Sequence, residues 1–160
     1  MKTLVLVRHA KSAWDAPGLA DHERPLADRG LRDAPEMGRR LAERGLEPDV
    51  IRSSTAVRAR TTAELIADAL GLAPDRLDLD ERLYGASPED ILGVVREFDD
   101  AVGTAMVVAH DPGMSDLAFA LSGTIEHMPT CAVAEFRFDV ESWPEAVEAE
   151  PVETRFDTPR

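Results

Sequence analysis

Three of the chain's basic side chains follow apolar runs at the ends of predicted strands. Arg8 and His9 come directly after "TLVLV", and His110 ends the run "TAMVVAH". Continuous apolar runs of this kind are typical of strands buried on both faces of a parallel sheet. Because ligands of such sheets bind beyond the carboxyl ends of the strands, we expect His9 and His110 to project from one sheet edge.

A further basic group comes from the segment "SSTAVRARTTAE", which follows the second predicted strand. Arg58 and Arg60 lie two residues apart, so they cannot share one face of a helix. Arg58 is closer to the start of the predicted helix, where exposed N–H groups add positive potential. We therefore predict that Arg58 points at the site and that Arg60 makes surface ion pairs.

Two arginines and two histidines suit a phosphoryl group. Arginine spreads its charge over the oxygens and binds more tightly as charge shifts in the transition state. A neutral histidine can attack phosphorus and form a covalent intermediate that water later hydrolyses. Flanking arginines favour the neutral form by lowering the histidine pKa. The second histidine, in protonated form, can donate to a phosphate oxygen.

Each of these residues also has an ordinary structural interpretation. Arg8 and His9 could be a polar strand end, His110 a hydrogen-bonded core histidine, and Arg58 a solvated helix charge. For Arg8 and His9 the other motifs of the chain decide in favour of function, since a strand end alone would favour the ordinary interpretation. His110 is assigned a function because it pairs with His9 at a matching strand end.

The elements that must position them alternate between strand and helix. This order predicts one α/β domain over residues 1–160, a three-layer sandwich with a mostly parallel sheet and helices on both faces. The predicted strands are 3–7, 49–54, 104–110 and 131–140, with a last hairpin strand at 151–159; the predicted helices are 31–44, 55–70, 87–100 and 113–122; residues 10–30 and 141–150 are predicted to be loops.

Composition narrows the class of partner and compartment. The net charge of −13 makes nucleic acid and anionic membrane unfavourable partners. We expect a cytoplasmic protein, since there is no signal peptide and no apolar run near the roughly 20 residues of a membrane span. Cys131 is the single cysteine, so no intramolecular disulfide forms. We expect neither metal nor cofactor, because no His-Glu-x-x-His motif and no nucleotide-binding glycine loop is present.

Four motifs in order carry a resemblance that covers nearly the whole chain, through the closing "DTPR". The segments "LVRHAKS", "RPLADRG", "SSTAVRARTTAE" and "VVAHDPGMSDLA" resemble the histidine phosphatase (phosphoglycerate-mutase-like) superfamily, in its SixA-type protein-phosphohistidine phosphatase branch. The resemblance implies the phosphoglycerate-mutase-like fold. It also implies that His9 is the nucleophile and that Arg8, Arg58 and His110 form the phosphate pocket.

Further positions have two interpretations each. Glu81, in "DERLYG", looks like the acidic proton donor of phosphoglycerate mutases, or it forms a loop salt bridge. Lys11 and Ser12 contribute amide or hydroxyl contacts to phosphate, or belong to a solvated loop. Arg24 binds substrate, or it anchors the loop under the pocket. Trp14 is predicted to be a packing residue.

The loops between the motifs are short, and no large cap insertion is present. Such an open cleft favours phosphohistidine presented on a phosphotransfer protein, with the enzyme passing through its own phosphohistidine. The alternatives are a phosphatase of small phosphomonoesters of sugar or nucleoside type, and a catalytically silent phosphoprotein-binding module. Asp111 stands where many relatives carry Asn, so the pocket edge is expected to differ there.

Overall fold

A six-stranded sheet forms the middle layer of the computed structural model, which describes residues 1–160. The strand order is β3-β2-β4-β1-β5-β6. The strands are β1 Lys2–Arg8, β2 Val50–Ser53, β3 Leu77–Leu79, β4 Thr104–Ala109, β5 Val133–Phe138 and β6 Glu153–Asp157; the helices are α1 Asp28–Glu43, α2 Val57–Leu70, α3 Pro88–Arg96, α4 Gly113–Ser122 and α5 Trp143–Ala146.

Four strands of the sheet, β1 to β4, run parallel to one another. At one side of the sheet, β5 pairs antiparallel with β1, and β6 pairs antiparallel with β5. In the register between β1 and β4, Arg8 lies opposite Ala109. The next residue of each strand, His9 and His110, therefore leaves the sheet at the same edge. The predicted mostly parallel sheet is confirmed, and β6 forms the predicted last hairpin.

Both faces of β1 are buried, which explains its continuous apolar run. Leu4 and Leu6 belong to one core cluster, together with residues of α3, α4 and α5. Val5 and Val7 belong to a second cluster on the opposite face, with residues of α1 and α2. Helices thus cover both faces of the sheet, and the predicted phosphoglycerate-mutase-like α/β class is confirmed.

Two glycines permit close contacts between the helices and the loops of the site. A Cβ atom on Gly30, in the first turn of α1, would lie 2.3 Å from the carbonyl oxygen of Lys11. A Cβ atom on Gly113, at the start of α4, would lie 2.1 Å from the carbonyl oxygen of Ala86. Both distances are far below van der Waals contact, so any side chain at these positions would push a loop away from the sheet edge.

The structure differs from several of the predicted elements and bounds; helix α3, for example, ends at Arg96 rather than at residue 100. Helix α1 begins at Asp28 rather than Leu31, so the preceding loop is shorter than predicted. The segment 141–150, predicted to be a loop, contains α5, because the Ser142 side chain caps that helix and Trp143 enters the core. The connection between β1 and α1 also contains a 3-10 turn at Asp21–Glu23.

No helix combines the length and the apolar character that crossing a bilayer would require.

Candidate active site

The two histidines at the sheet edge lie side by side. His9 and His110 have ring centroids 5.1 Å apart, and both residues are buried. This proximity follows from the parallel pairing of β1 with β4, since each histidine is the first residue beyond its strand. The convergence predicted from the strand ends is therefore present in the structure.

One ring nitrogen of His9 is held by the backbone. Nδ1 lies 2.8 Å from the carbonyl oxygen of Ala10, which can only accept, so Nδ1 carries the proton. Burial lowers the His9 pKa to about 3, and the nearby His110, Arg58 and Arg8 act in the same direction. His9 is thus neutral at neutral pH, with a free lone pair on Nε2, the protonation state that a nucleophile requires.

Arg58 lies at the second position of α2 and is buried, whereas Arg60 is exposed and makes no ion pair. The Arg58 guanidinium donates from Nη1 to the carbonyl oxygen of Asp21, at 2.7 Å, and from Nη2 to Asp21 Oδ2, at 2.9 Å. Of the about five N–H donors of a guanidinium, three remain for a ligand. The structure brings Arg58, and not Arg60, to the histidines, although the surface ion pairs expected of Arg60 are absent.

Arg8 is held by contacts with two residues that follow β4. Its Nη1 donates to the carbonyl oxygen of Met128 at 3.0 Å and lies 3.5 Å from Asp111 Oδ2. The Asp111 carboxylate also accepts hydrogen bonds from the backbone and hydroxyl groups of Ser115 in α4. Asp111 therefore connects Arg8 to the start of α4, which is a structural use for the carboxylate at this position.

The second histidine was expected to be protonated, and this expectation was wrong. Burial lowers the His110 pKa to about 4, and the positive charge of Arg58 lowers it further. Nε2 lies 2.8 Å from Ser54 Oγ. This hydroxyl oxygen accepts from the backbone N–H of Ala56, which leaves its own proton free to be donated to Nε2. His110 is neutral at neutral pH because its site is dry and faces arginines.

Ser12 and Arg24, two further predicted site residues, bind each other. Ser12 Oγ accepts a hydrogen bond from Arg24 Nη2 at 2.5 Å, and Arg24 Nε donates to the carbonyl oxygen of Ala13 at 3.1 Å. This geometry favours the interpretation that Arg24 anchors the loop. Lys11 is half-buried, and its ammonium group makes no hydrogen bond or ion pair.

The Glu81 side chain is exposed and makes no hydrogen bond or ion pair, so the alternative of a loop salt bridge was wrong. The salt bridge at this turn is made by its neighbours Asp80 and Arg82, at 2.8 Å. The same segment contributes Tyr84 instead, whose ring meets His110 edge-on at 5.5 Å. The role of Glu81 as a proton donor stays a prediction.

Asp21 is the functional candidate that sequence reasoning missed. Its Oδ2 accepts from Tyr84 Oη at 2.6 Å and from Arg58, and its Oδ1 accepts from Arg24 Nη1 at 2.9 Å. These donors, Tyr84 first among them, hold the pKa of the Asp21 carboxyl well below its usual range. The only sequence signal was an acidic residue just before the "RPLADRG" motif.

The prediction for Trp14 was wrong. Its ring is not packed in a core but is 75% exposed, and the Arg24 guanidinium carbon lies 3.2 Å from the ring centroid. A guanidinium already bound to Ser12 and Asp21 thus holds the indole in place on the loop surface.

Comparison with known protein families identifies the chain. Residues 4–111 match the model of the histidine phosphatase superfamily (branch 1). The chain belongs to this superfamily. The matched stretch includes the four side chains at the sheet edge, so the predicted superfamily and the phosphatase class are confirmed.

The sequence relatives include an uncharacterized protein and a phosphoglycerate mutase. An uncharacterized protein of Mycobacterium tuberculosis is 41% identical over 142 residues, covering 82% of this chain and 86% of that protein. A 2,3-bisphosphoglycerate-dependent phosphoglycerate mutase of Thermobifida fusca is 41% identical over 92 residues, which cover 54% of this chain and 37% of the mutase.

A structure from Agrobacterium tumefaciens, provisionally assigned as the phosphohistidine phosphatase SixA, superposes with a TM-score of 0.77 at 31% identity and covers 84% of this chain and 90% of its own. A protein histidine phosphatase SixA complexed with tungstate gives a TM-score of 0.73 at 25% identity, covering 98% of this chain and 94% of its own. The predicted SixA-type branch is confirmed by these similarities.

Proposed function

We propose that residues 1–160 form one histidine phosphatase domain that removes phosphate from phosphohistidine on a phosphotransfer protein, without a metal ion. The observation that carries this proposal is the neutral His9, with Nδ1–H bound to Ala10 and with Arg8 and Arg58 beside it. The two guanidinium groups supply the positive charge that a transferring phosphoryl group needs.

The reaction has two transfers. In the first, His9 Nε2 attacks phosphorus; the new P–N bond forms as the bond to the leaving group breaks, and the electron pair goes to the leaving group. Arg8 and Arg58 neutralise the phosphoryl oxygens. His110 donates to one of them from Nδ1, which has no partner in the protein, while Nε2 accepts from the Ser54 hydroxyl. In the second, water attacks the phosphorylated His9, releasing phosphate and regenerating the neutral imidazole.

The exposed side chains around the site support a protein-borne substrate. Tyr84, whose ring contacts His110, is 39% exposed, and Trp14, which stacks on Arg24, is 75% exposed. Both can therefore contact a second protein that carries the phosphorylated side chain. The similarity to SixA structures points to the same substrate class. A small phosphomonoester is the second candidate substrate, because one phosphoglycerate mutase matches this chain at 41% identity.

The test is phosphate release from a panel of substrates in the presence of EDTA. The panel contains a phosphohistidine-bearing phosphotransfer protein, free phosphohistidine, a sugar phosphate and a nucleoside monophosphate. We expect the highest kcat/KM on the phosphohistidine protein and no loss with EDTA. Preference for the sugar or nucleoside ester would favour the second candidate, and no turnover of any substrate would leave only a binding module.

A further inference from the structure

We propose that Asp21 binds the leaving imidazole of the substrate, and that it thereby sets the preference for phosphohistidine over phosphate esters. The inference rests on the proposed function, and it identifies the residue that contacts the leaving group.

Asp21 stands at the junction of three separate parts of the site. Arg24 reaches it from its own loop, Arg58 from α2, and Tyr84 from the connection between β3 and α3. Its backbone carbonyl oxygen also accepts a hydrogen bond from Arg58 Nη1. A carboxylate held from so many directions keeps its position when substrate binds, unlike a solvated side chain.

The Asp21 carboxylate still has a free acceptor position. A carboxylate offers about four lone-pair positions, and the contacts from Tyr84, Arg58 and Arg24 use three. The side chain is 51% exposed, so the remaining position on Oδ1 is open to a ligand. Arg58 retains donors for the phosphoryl oxygens, so one guanidinium can hold Asp21 and phosphate together.

The chemistry of the leaving group explains the use of such an acceptor. A phosphorylated imidazole departs as a neutral ring only when its other nitrogen carries a proton. An ionised carboxylate that accepts this N–H stabilises the protonated ring. The P–N bond to His9 then forms as the substrate P–N bond breaks, the electron pair moves to the substrate nitrogen, and neutral imidazole leaves. An alcohol or phenol leaving group has no N–H and develops negative charge, which the same carboxylate repels.

The side chains in contact with Asp21 include no second anion that could accept the N–H of the leaving ring in its place. Arg24 and Arg58 carry donors and no acceptor, the Tyr84 pKa is raised by its hydrogen bond to Asp21, and His110 is neutral. His22 is the next residue in the chain and bonds to Thr55 rather than to Asp21. All of these groups remain in an Asp21→Asn variant, so a difference between variant and wild type reports on Asp21 and the substrate.

The experiment compares Asp21→Asn with wild type on free phosphohistidine and on p-nitrophenyl phosphate between pH 6 and 8.5. We expect kcat/KM on phosphohistidine to fall about ten- to hundredfold, the range for losing a hydrogen bond to a charged group. The loss should grow above about pH 6.5, where imidazole rings lose their proton. On the aryl ester the rate should be unchanged or higher.

Glu23→Gln is the matched control, because it removes one charge from the same 3-10 turn and Glu23 bonds only to His22. It should behave as wild type on both substrates. Inhibition by vanadate and the melting temperature show whether Arg58 and the fold survive in Asp21→Asn. Asp21→Ala repeats the comparison if the asparagine amide displaces Arg58.

An equal loss on both substrates would show that Asp21 only positions Arg58, and no loss on either would show that it has no role; each result overturns the proposal. If wild type hydrolyses the ester but not phosphohistidine, the proposed function itself is wrong. The outcome that contradicts only the role of Asp21 is different: wild type is active on both substrates, and the ratio of the two kcat/KM values is the same in Asp21→Asn.

Discussion

The floor and the rim of the site are built in different ways. The floor consists of Arg8, His9, Arg58 and His110, which extend from strand ends and from the first turn of a helix and are held by sheet register. The rim consists of Asp21, Tyr84, Trp14 and Glu81, which lie on loops and 3-10 turns and are exposed to different degrees.

This difference indicates two tasks, binding of the phosphoryl group by the floor and selection of the substrate by the rim. The floor is dry, so both histidines are neutral there and the arginines act with little screening. Such a surface suits the phosphoryl group, which is the same in every substrate of the superfamily. The rim is wet, and its contacts are side-chain hydrogen bonds between loops. We therefore expect floor substitutions to affect all substrates and rim substitutions to affect their selection.

The largest expected effect is that of His9→Ala, which removes the nucleophile from the floor. Turnover should be abolished on every substrate while the fold persists, because the small apolar residue still fits a strand end. The measurement is acid-labile, base-stable phosphate trapped on wild type and absent from the variant. Turnover near the wild-type rate in His9→Ala would contradict the assignment of His9.

Arg58→Ala should give the next largest effect. Losing one preorganised charged donor to a transferring phosphoryl group costs about 2–4 kcal/mol, or roughly 10²–10³-fold in kcat. The loss should be similar on phosphohistidine and on esters, because Arg58 faces the phosphoryl oxygens. Arg60→Ala is the control on the same helix, where the side chain is exposed, and it should lie near wild type. Reversed effects would show that the other face of α2 serves the site.

The floor could be predicted from the sequence because its positions follow regular structure. A strand end fixes where His9 and His110 leave the sheet, and the spacing along a helix separates Arg58 from Arg60. The protonation state of His110 could not be predicted, since it depends on how much water the folded site excludes. The His110 pKa is lowered to about 4 chiefly by burial, and no residue adjacent to His110 in the sequence indicates this.

The rim escaped prediction because its contacts are long-range and irregular. Asp21 and Tyr84 are 63 positions apart, and no periodic pattern links two loops. Helix α5 was missed for a related reason: it spans only four residues, too few to show a helical period. Trp14 was predicted to be packed because of its residue type, whereas its place on an exposed loop is set by Arg24.

A third prediction concerns how the free energy of unfolding depends on pH, which tests whether water is excluded from the two histidines of the floor. Histidine titrates near about 6.5 in an unfolded chain, but near 3 and 4 in folded His9 and His110. Between these values the unfolded state binds protons that the folded state does not, so stability falls as the pH falls from 6.5 towards 4. Each histidine contributes up to about 1.4 kcal/mol per pH unit.

The free energy of unfolding would be measured by urea titration across this range. The double variant His9→Asn and His110→Asn should show a shallower dependence on pH than wild type. Identical slopes for the two proteins would mean that these imidazoles are hydrated in the folded state, and the contrast between a dry floor and a wet rim would fail.

The smallest expected effect belongs to Glu81, on the rim. A poor leaving group such as a sugar alkoxide needs a proton as its bond to phosphorus breaks, and a positioned acid supplies typically about 10²–10⁴-fold. An imidazole needs far less help, and Glu81 makes no hydrogen bond or ion pair that would hold it over the site. Glu81→Gln should therefore leave phosphohistidine hydrolysis near the wild-type rate and slow alkyl phosphate hydrolysis more. Both rates would be measured on the same two protein samples. A large and equal loss would make Glu81 an obligatory acid and move the proposed substrate to a small phosphoester.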